Sequence, residues 1–223
     1  MNGSEVRKAV PVLIYHAVDN KVFGLKELIV SPQEFYKQME YLHAQKYTAL
    51  TFNNIEDYYK YKYPVLITFD DGYEDIYLYA FPTLKKFKLQ ATIFLIAGLI
   101  DHTGYLTRKE IGEMSGVFSF ESHTLSHPEL DKMSGAEIEK ECGKSREIIE
   151  SLTSKPVNAL SFPFGKYNED VLGIARKYYK YCVTTDYGNY SNGDNQYRIK
   201  RIYINRSDTI EAYKNKIIKG RIR

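Results

Sequence analysis

The chain has 223 residues, the length of one large domain rather than two, since single α/β barrels run to roughly 200–250 residues. With 43% hydrophobic and 26% charged residues it can bury a full core, while a net charge of +3 with no basic cluster interleaved with stacking aromatics argues against nucleic acid as a partner. The longest apolar stretch, 91–100, is far short of the roughly 20 residues that a membrane span needs.

The opening Met1-Asn2-Gly3-Ser4-Glu5 has neither the basic nor the apolar region of a secretory signal, so none is expected within these residues. From there, short runs rich in Val, Ile, Phe and Tyr alternate with longer amphipathic stretches, which predicts repeated strand-helix units. A strand at 11–15 ends at His16, and a helix at 31–45 opens on Ser31-Pro32-Gln33-Glu34, a capping box with proline at the first helical position. The tyrosine- and lysine-rich 58–63 reads as a helix end and loop. A strand at 65–69 runs into Asp70, Asp71 and Gly72, followed by a helix at 75–87, a strand at 91–96 and a helix at 107–114. Next come a strand at 118–121 just before His123, a helix at 134–152 whose Ser134 and Glu137 form a second box, and a strand at 159–162 leading into Pro163-Phe164-Gly165. A helix at 169–177, a strand at 181–184 before Asp186, a strand at 199–204 before Arg206 and a helix at 207–219, opening on Ser207-Asp208-Thr209-Ile210-Glu211, complete the order. No linker, repeat or low-complexity tract divides the chain, so 1–223 reads as a single domain. Cys142 and Cys182 have no Cys or His at ligand spacing, and a disulfide between them has no positive support.

Seven strands with intervening helices suggest a parallel sheet, either closed into a barrel or open and doubly wound. In both, function gathers beyond the carboxyl ends of the strands. His16, Asp70, Asp71, His123, Pro163-Phe164-Gly165, Asp186 and Arg206 all fall there, which marks one rim as the candidate site. Two histidines four apart, His123 and His127, together with a carboxylate, form a three-ligand set that leaves a coordination position open, the pattern of a catalytic metal site. The plainer alternatives are a strand ending in an Asx turn at Asp70-Asp71-Gly72 and two loop histidines capping turns before Pro128. Together the motifs favour the metal site, with one aspartate as ligand and the other as a free base.

Thr68-Phe69-Asp70-Asp71-Gly72-Tyr73 and Ser122-His123-Thr124-Leu125-Ser126-His127 resemble the first two motifs of the polysaccharide deacetylases of carbohydrate esterase family 4, the NodB homology domain. Ser161-Phe162-Pro163-Phe164-Gly165 is similar to the third motif, which usually has an arginine where this chain has Ser161; that arginine orients the base, so the positioning of Asp70 is left open. No histidine follows His127 to serve as the family's usual C-terminal acid, but Leu13-Ile14-Tyr15-His16 resembles the branch acting on poly-N-acetylglucosamine biofilm adhesins, in which the acid histidine comes from the first strand. The resemblance implies a distorted (β/α) barrel of about seven parallel strands and one divalent ion, zinc first, with cobalt, nickel or iron as alternatives. By the same resemblance Asp71, His123 and His127 are ligands, Asp70 is the base, His16 the acid, and the Phe164 N–H the oxyanion donor in the turn with Pro163 and Gly165. Tyr73 is placed against the sugar, and Asp186 and Arg201 are supporting residues. The implied reaction is hydrolysis of N-acetyl groups on a β-linked N-acetylglucosamine polysaccharide with release of acetate, by a monomer at the cell surface or outside the cell, the cytoplasm being the alternative. A peptidoglycan or chitin-oligomer deacetylase, an inactive carbohydrate-binding homologue and an unrelated metal-dependent phosphoesterase or amidase are the competing readings. Retention of Asp70 speaks against the second, and the lack of a second metal set or arginine cluster against the third.

Overall fold

A computed structural model describes residues 9–219; the Met1-Asn2-Gly3-Ser4-Glu5 opening lies outside them. Among the described residues, seven parallel strands close into a barrel: β1 (Val12–Tyr15), β2 (Pro64–Phe69), β3 (Ala91–Leu95), β4 (Phe118–Ser122), β5 (Ala159–Ser161), β6 (Tyr181–Tyr187) and β7 (Ile199–Tyr203). Closure comes from β1, which pairs with β7 on one side (Ile202↔Leu13, Tyr203↔Ile14) and with β2 on the other (Val12↔Leu66 to Tyr15↔Phe69). The first and last barrel strands therefore meet in the wall. A further short strand, Thr48–Leu50, pairs with the first half of β2 while β3 pairs with its second half.

Side chains alternate across each strand, so one set faces the surrounding helices and the other fills the lumen. Leu13, Tyr15, Val65, Ile67, Phe69, Ile93 and Phe118 belong to the outer core, packed beneath α1 (Pro32–Ala44), α2 (Phe81–Phe87), α3 (Arg108–Met114), α4 (Gly135–Thr153), α5 (Glu169–Tyr178) and α6 (Ile210–Lys219). The lumen is apolar at its lower end, where Val12, Leu66, Ala159, Tyr181 and Ile199 form a second cluster with Phe94. Continuing upward on the same alternation, Thr68, Asp70, His123, Ser161 and Arg201 make the upper lumen polar, and all five are buried.

The helix starts follow local chemistry. Ser31 accepts a hydrogen bond from the Glu34 N–H with Pro32 in the first turn, and Ser134 and Glu137 close a reciprocal capping box, as the sequence predicts. Two starts differ from prediction. The segment before α2 is a π-helical turn, Ile76–Ala80, because Pro82 has no N–H to close a regular turn. Helix α6 begins at Ile210, with the Thr209 hydroxyl accepting from the Ala212 N–H, since Ser207 is engaged with Glu27. Cys142 and Cys182 are both buried and free. No helix among the described residues is long and apolar enough to cross a membrane.

Candidate functional site

At the carboxyl rim of the barrel lies a cavity of about 490 Å³ lined by His16, Asp70, Asp71, His123, His127 and Phe164, with Tyr73, Thr185 and Tyr203 beside them. The chain after β2 turns sharply: Asp71 and Gly72 both have positive φ (73° and 80°), and a Cβ on Gly72 would stand 2.7 Å from Leu95 Cδ2, so only glycine fits there. This turn sends the two adjacent carboxylates in different directions.

Asp70 points down into the lumen. Arg201, fully buried on β7, grips it with two parallel hydrogen bonds, Nη1 to Oδ1 and Nη2 to Oδ2, both 2.7 Å. Ser161 donates from its hydroxyl to Oδ2 at 3.0 Å, and the remaining guanidinium donors reach Thr68 Oγ1 (3.2 Å) and the Thr184 carbonyl (3.0 Å). Burial pushes the Asp70 carboxyl up, but the charge and hydrogen bonds of Arg201, with His123 and His16 behind them, outweigh it and hold Asp70 well below the usual carboxylate range. The arginine that the third motif lacks at Ser161 is thus supplied from the last strand.

Asp71 points across the cavity mouth. Its Oδ1 lies 3.4 Å from His123 Nε2 and 3.6 Å from His127 Nε2, and one ligand atom from each of the three residues falls within 4.8 Å of the others. His123 Nδ1 is 2.8 Å from the Ser161 carbonyl, which can only accept, so Nδ1 carries a proton and Nε2 is the nitrogen that faces the cluster. Burial beside His123 pushes His127 down to about 4, leaving it neutral. Its ring rests 4.5 Å from that of Phe164. An acid and two imidazoles converging in this way fit a divalent cation.

His16 lines the same cavity. Burial lowers its pKa, while Asp70 and Asp71 pull the other way. In the Pro163-Phe164-Gly165 turn, Phe164 and Gly165 both adopt left-handed backbone (φ 56° and 66°), and a Cβ on Gly165 would stand 1.9 Å from Thr185 Oγ1. Phe164 is consequently exposed at the rim while Pro163 is buried beneath it. Tyr73 also lines the cavity, its ring 5.3 Å from that of Tyr105. Asp186 is not brought into the site: alternation turns it outward and exposed, while Thr185 beside it faces the cavity. Sequence reasoning passed over Thr185, Tyr203, Leu25 and Leu28, all of which line the cavity. Tyr203 could have been found, because it stands two residues from Arg201 on the same inward stripe; the loop residues carried no such signal.

Residues 57–182, more than half of the chain, match the polysaccharide deacetylase family. A poly-beta-1,6-N-acetyl-D-glucosamine N-deacetylase of Staphylococcus aureus is 31% identical over 226 residues, covering 92% of this chain and 77% of that protein. Among solved structures, a polysaccharide deacetylase from Bacillus cereus superposes with a TM-score of 0.91 at 37% identity, covering 95% of this chain and 69% of that one. A Streptococcus pyogenes deacetylase solved in complex with acetate gives 0.89 at 29% identity, covering 95% and 99%. Sequence, fold and the arrangement of rim residues thus agree, and the chain belongs to the polysaccharide deacetylase family.

Proposed function

We propose that this deacetylase is metal-dependent and removes N-acetyl groups from a β-linked N-acetylglucosamine polysaccharide, poly-β-1,6-N-acetylglucosamine first, at the cell surface or outside the cell and as a monomer. The observation that carries the reading is the convergence of Asp71, His123 and His127 beside an ionised, immobilised Asp70. The name of the Staphylococcus aureus relative supports the choice of polymer.

Asp71, His123 and His127 would hold the ion, zinc by preference, with cobalt, nickel or iron suited to the same donors. Bound there, a divalent cation supplies a water of pKa near roughly 7 and polarises the acetyl carbonyl. Asp70, kept ionised by Arg201, accepts the proton of the attacking water as its oxygen adds to the acetyl carbon. The Phe164 N–H, offered at the rim by the left-handed turn, donates to the carbonyl oxygen as charge builds on it. His16 then donates a proton to the sugar nitrogen as the C–N bond breaks, releasing acetate and a free amine. The product amine is cationic at neutral pH, so the polymer gains charge with each turnover.

The reading is tested by acetate release from β-1,6-linked N-acetylglucosamine oligomers, with chitin oligomers and peptidoglycan fragments in parallel. Asp70→Asn and His16→Ala are each expected to lower turnover by about a hundredfold or more while leaving metal binding nearly intact. A metal-loaded wild type that releases no acetate from any of these polymers sinks the reading.

A further inference from the structure

Helix α4 packs on β4 through an apolar face that includes Ile138, Cys142 and Ile149, and two polar side chains one turn apart, Glu141 and Ser145, are buried with them. A carboxylate in such a place loses its water, and donors must replace it. At Glu141 three do. Oε2 accepts from the N–H groups of Leu125 and Ser126, both at 2.9 Å, and Oε1 accepts from the Ser126 hydroxyl at 2.7 Å. One turn on, the Ser145 hydroxyl pairs with that of Ser122 at 2.8 Å.

Leu125 and Ser126 lie between His123 and His127, in a loop whose shape needs support. Thr124 and His127 both have left-handed backbone (φ 67° and 62°), a conformation unfavourable for any residue with a Cβ. Each N–H from Thr124 to His127 ends on a side-chain oxygen: Thr124 on Ser122 Oγ (3.2 Å), Leu125 and Ser126 on Glu141, and His127 on Thr124 Oγ1 (3.0 Å). Ser122 and Thr124 belong to the same stretch of chain; Glu141 alone of these acceptors reaches in from elsewhere. The two histidines are therefore held differently. His123 has fixings of its own, its N–H on the Leu95 carbonyl and Nδ1 on the Ser161 carbonyl, each at 2.8 Å. His127 is carried by the loop: its N–H bond to Thr124 is internal, and its ring rests on those of His123 (4.7 Å) and Phe164 (4.5 Å).

We propose that Glu141 is a positioning residue: by holding the N–H groups of Leu125 and Ser126 it fixes the loop in the shape that brings the His127 ring to Asp71 and His123, and so sets the affinity of the three for a divalent cation. This rests on the metal reading given above. Groups that support a ligand from behind commonly govern affinity by about 10- to 100-fold. The reach of the side chain matters, because Ile138 and Cys142 to either side of Glu141 are locked in the outer core and α4 cannot follow the loop.

The test is chelator competition for Zn²⁺ and Co²⁺ on the purified chain, with Glu141→Asp, Glu141→Gln and Ile149→Val beside the wild type. Glu141→Asp keeps the charge but draws it back by one methylene. It is expected to weaken binding of both metals by about 10- to 100-fold, to alter the visible spectrum of the cobalt form, and to speed amide exchange at Leu125 and Ser126 in the metal-free protein. Glu141→Gln keeps the reach and an acceptor for both N–H groups, and should hold affinity near that of the wild type. Ile149→Val loosens the same helix two turns further along; it should lower the melting temperature and leave metal affinity unchanged. Wild-type affinity, spectrum and exchange in Glu141→Asp overturn the proposal while leaving the metal reading standing. An equal loss of metal in Ile149→Val also overturns it, since Glu141 would then act only through helix packing. A wild type that binds neither metal overturns both readings.

Discussion

A carboxylate shut away from water ordinarily keeps its proton, and at Asp70 the fork of Arg201, with His123 and His16 behind it, reverses that tendency. Removing one partner of a buried pair leaves the other charged and unsolvated, so Arg201→Ala is expected to cost about 3–5 kcal/mol in urea unfolding. Arg201→Lys keeps the charge but loses the second hydrogen bond and the Thr184 contact; it should fold, with turnover lowered on the order of a hundredfold by misplacement of Asp70. A wild-type rate in Arg201→Lys would show that the fork is dispensable. This pairing was hidden in the sequence, since Asp70 and Arg201 are 131 residues apart and meet only across the lumen. Asp75 makes the opposite case. Burial pushes its carboxyl up to about 7, against the pull of the Val18 N–H bond (2.7 Å) and with a further push from Asp19. The folded state then holds a proton that the unfolded chain releases near about pH 4, so the Asp75 contribution is greatest below that, falls as pH rises toward 7 and is level above. Asp75→Asn keeps an acceptor for Val18 and cannot ionise. Relative to wild type it should gain on the order of 4 kcal/mol between pH 4 and pH 8, read as the difference of two unfolding curves; a constant difference would contradict the assignment.

The elements were more legible than their partnerships. All seven barrel strands lie within a residue or a few of the predicted spans, because each is a short run rich in β-branched, aromatic or other apolar residues between turn signals, continuous in β1 and β2 and interrupted by polar residues in β4 and β7. Strand Thr48–Leu50 was not legible: two half-buried residues and one buried leucine beside a helix end have no period to detect. The loop spanning 19–28 was equally opaque, yet it walls the cavity through Gly24, Leu25 and Leu28. Part of its anchorage comes from Arg206 and Ser207, far along the sequence, with the Ser207 hydroxyl donating to Glu27 at 3.1 Å. Arg206 donates to the Ile29 carbonyl at 3.0 Å and the Asn20 carbonyl at 3.5 Å, and its own N–H donates to the Glu27 carbonyl at 3.0 Å. Arg206→Ala should therefore speed amide exchange across this loop and raise the oligosaccharide KM severalfold with kcat nearly unchanged, since the loop walls the cavity and supplies none of Asp71, His123 and His127. Exchange no faster than wild type would show that the loop is held by other contacts.

Taken as one body, the barrel is an apolar plug below and a polar mouth above, and the mouth draws side chains from β1, β2, β4, β5, β6 and β7 or the segments just after them. A cation bound only by the folded state raises stability by mass action, about 2.7 kcal/mol at a hundred times its dissociation constant. For a chain of this size that corresponds to a melting temperature about 5–10 °C higher in saturating Zn²⁺ than in EDTA, and Asp71→Ala should abolish the difference. Identical melting curves would mean that the native state holds no metal at this rim. Barrel closure by β1 against β7 also carries a consequence for the order of events during synthesis. Asp70, Asp71, His123 and His127 leave the ribosome well before Arg201, and until β7 seats against β1 Asp70 has neither its counter-ion nor a dry lumen around it. On the proposed mechanism, hydrolysis therefore waits on β7, because Asp70 has no guanidinium beside it until that strand is made.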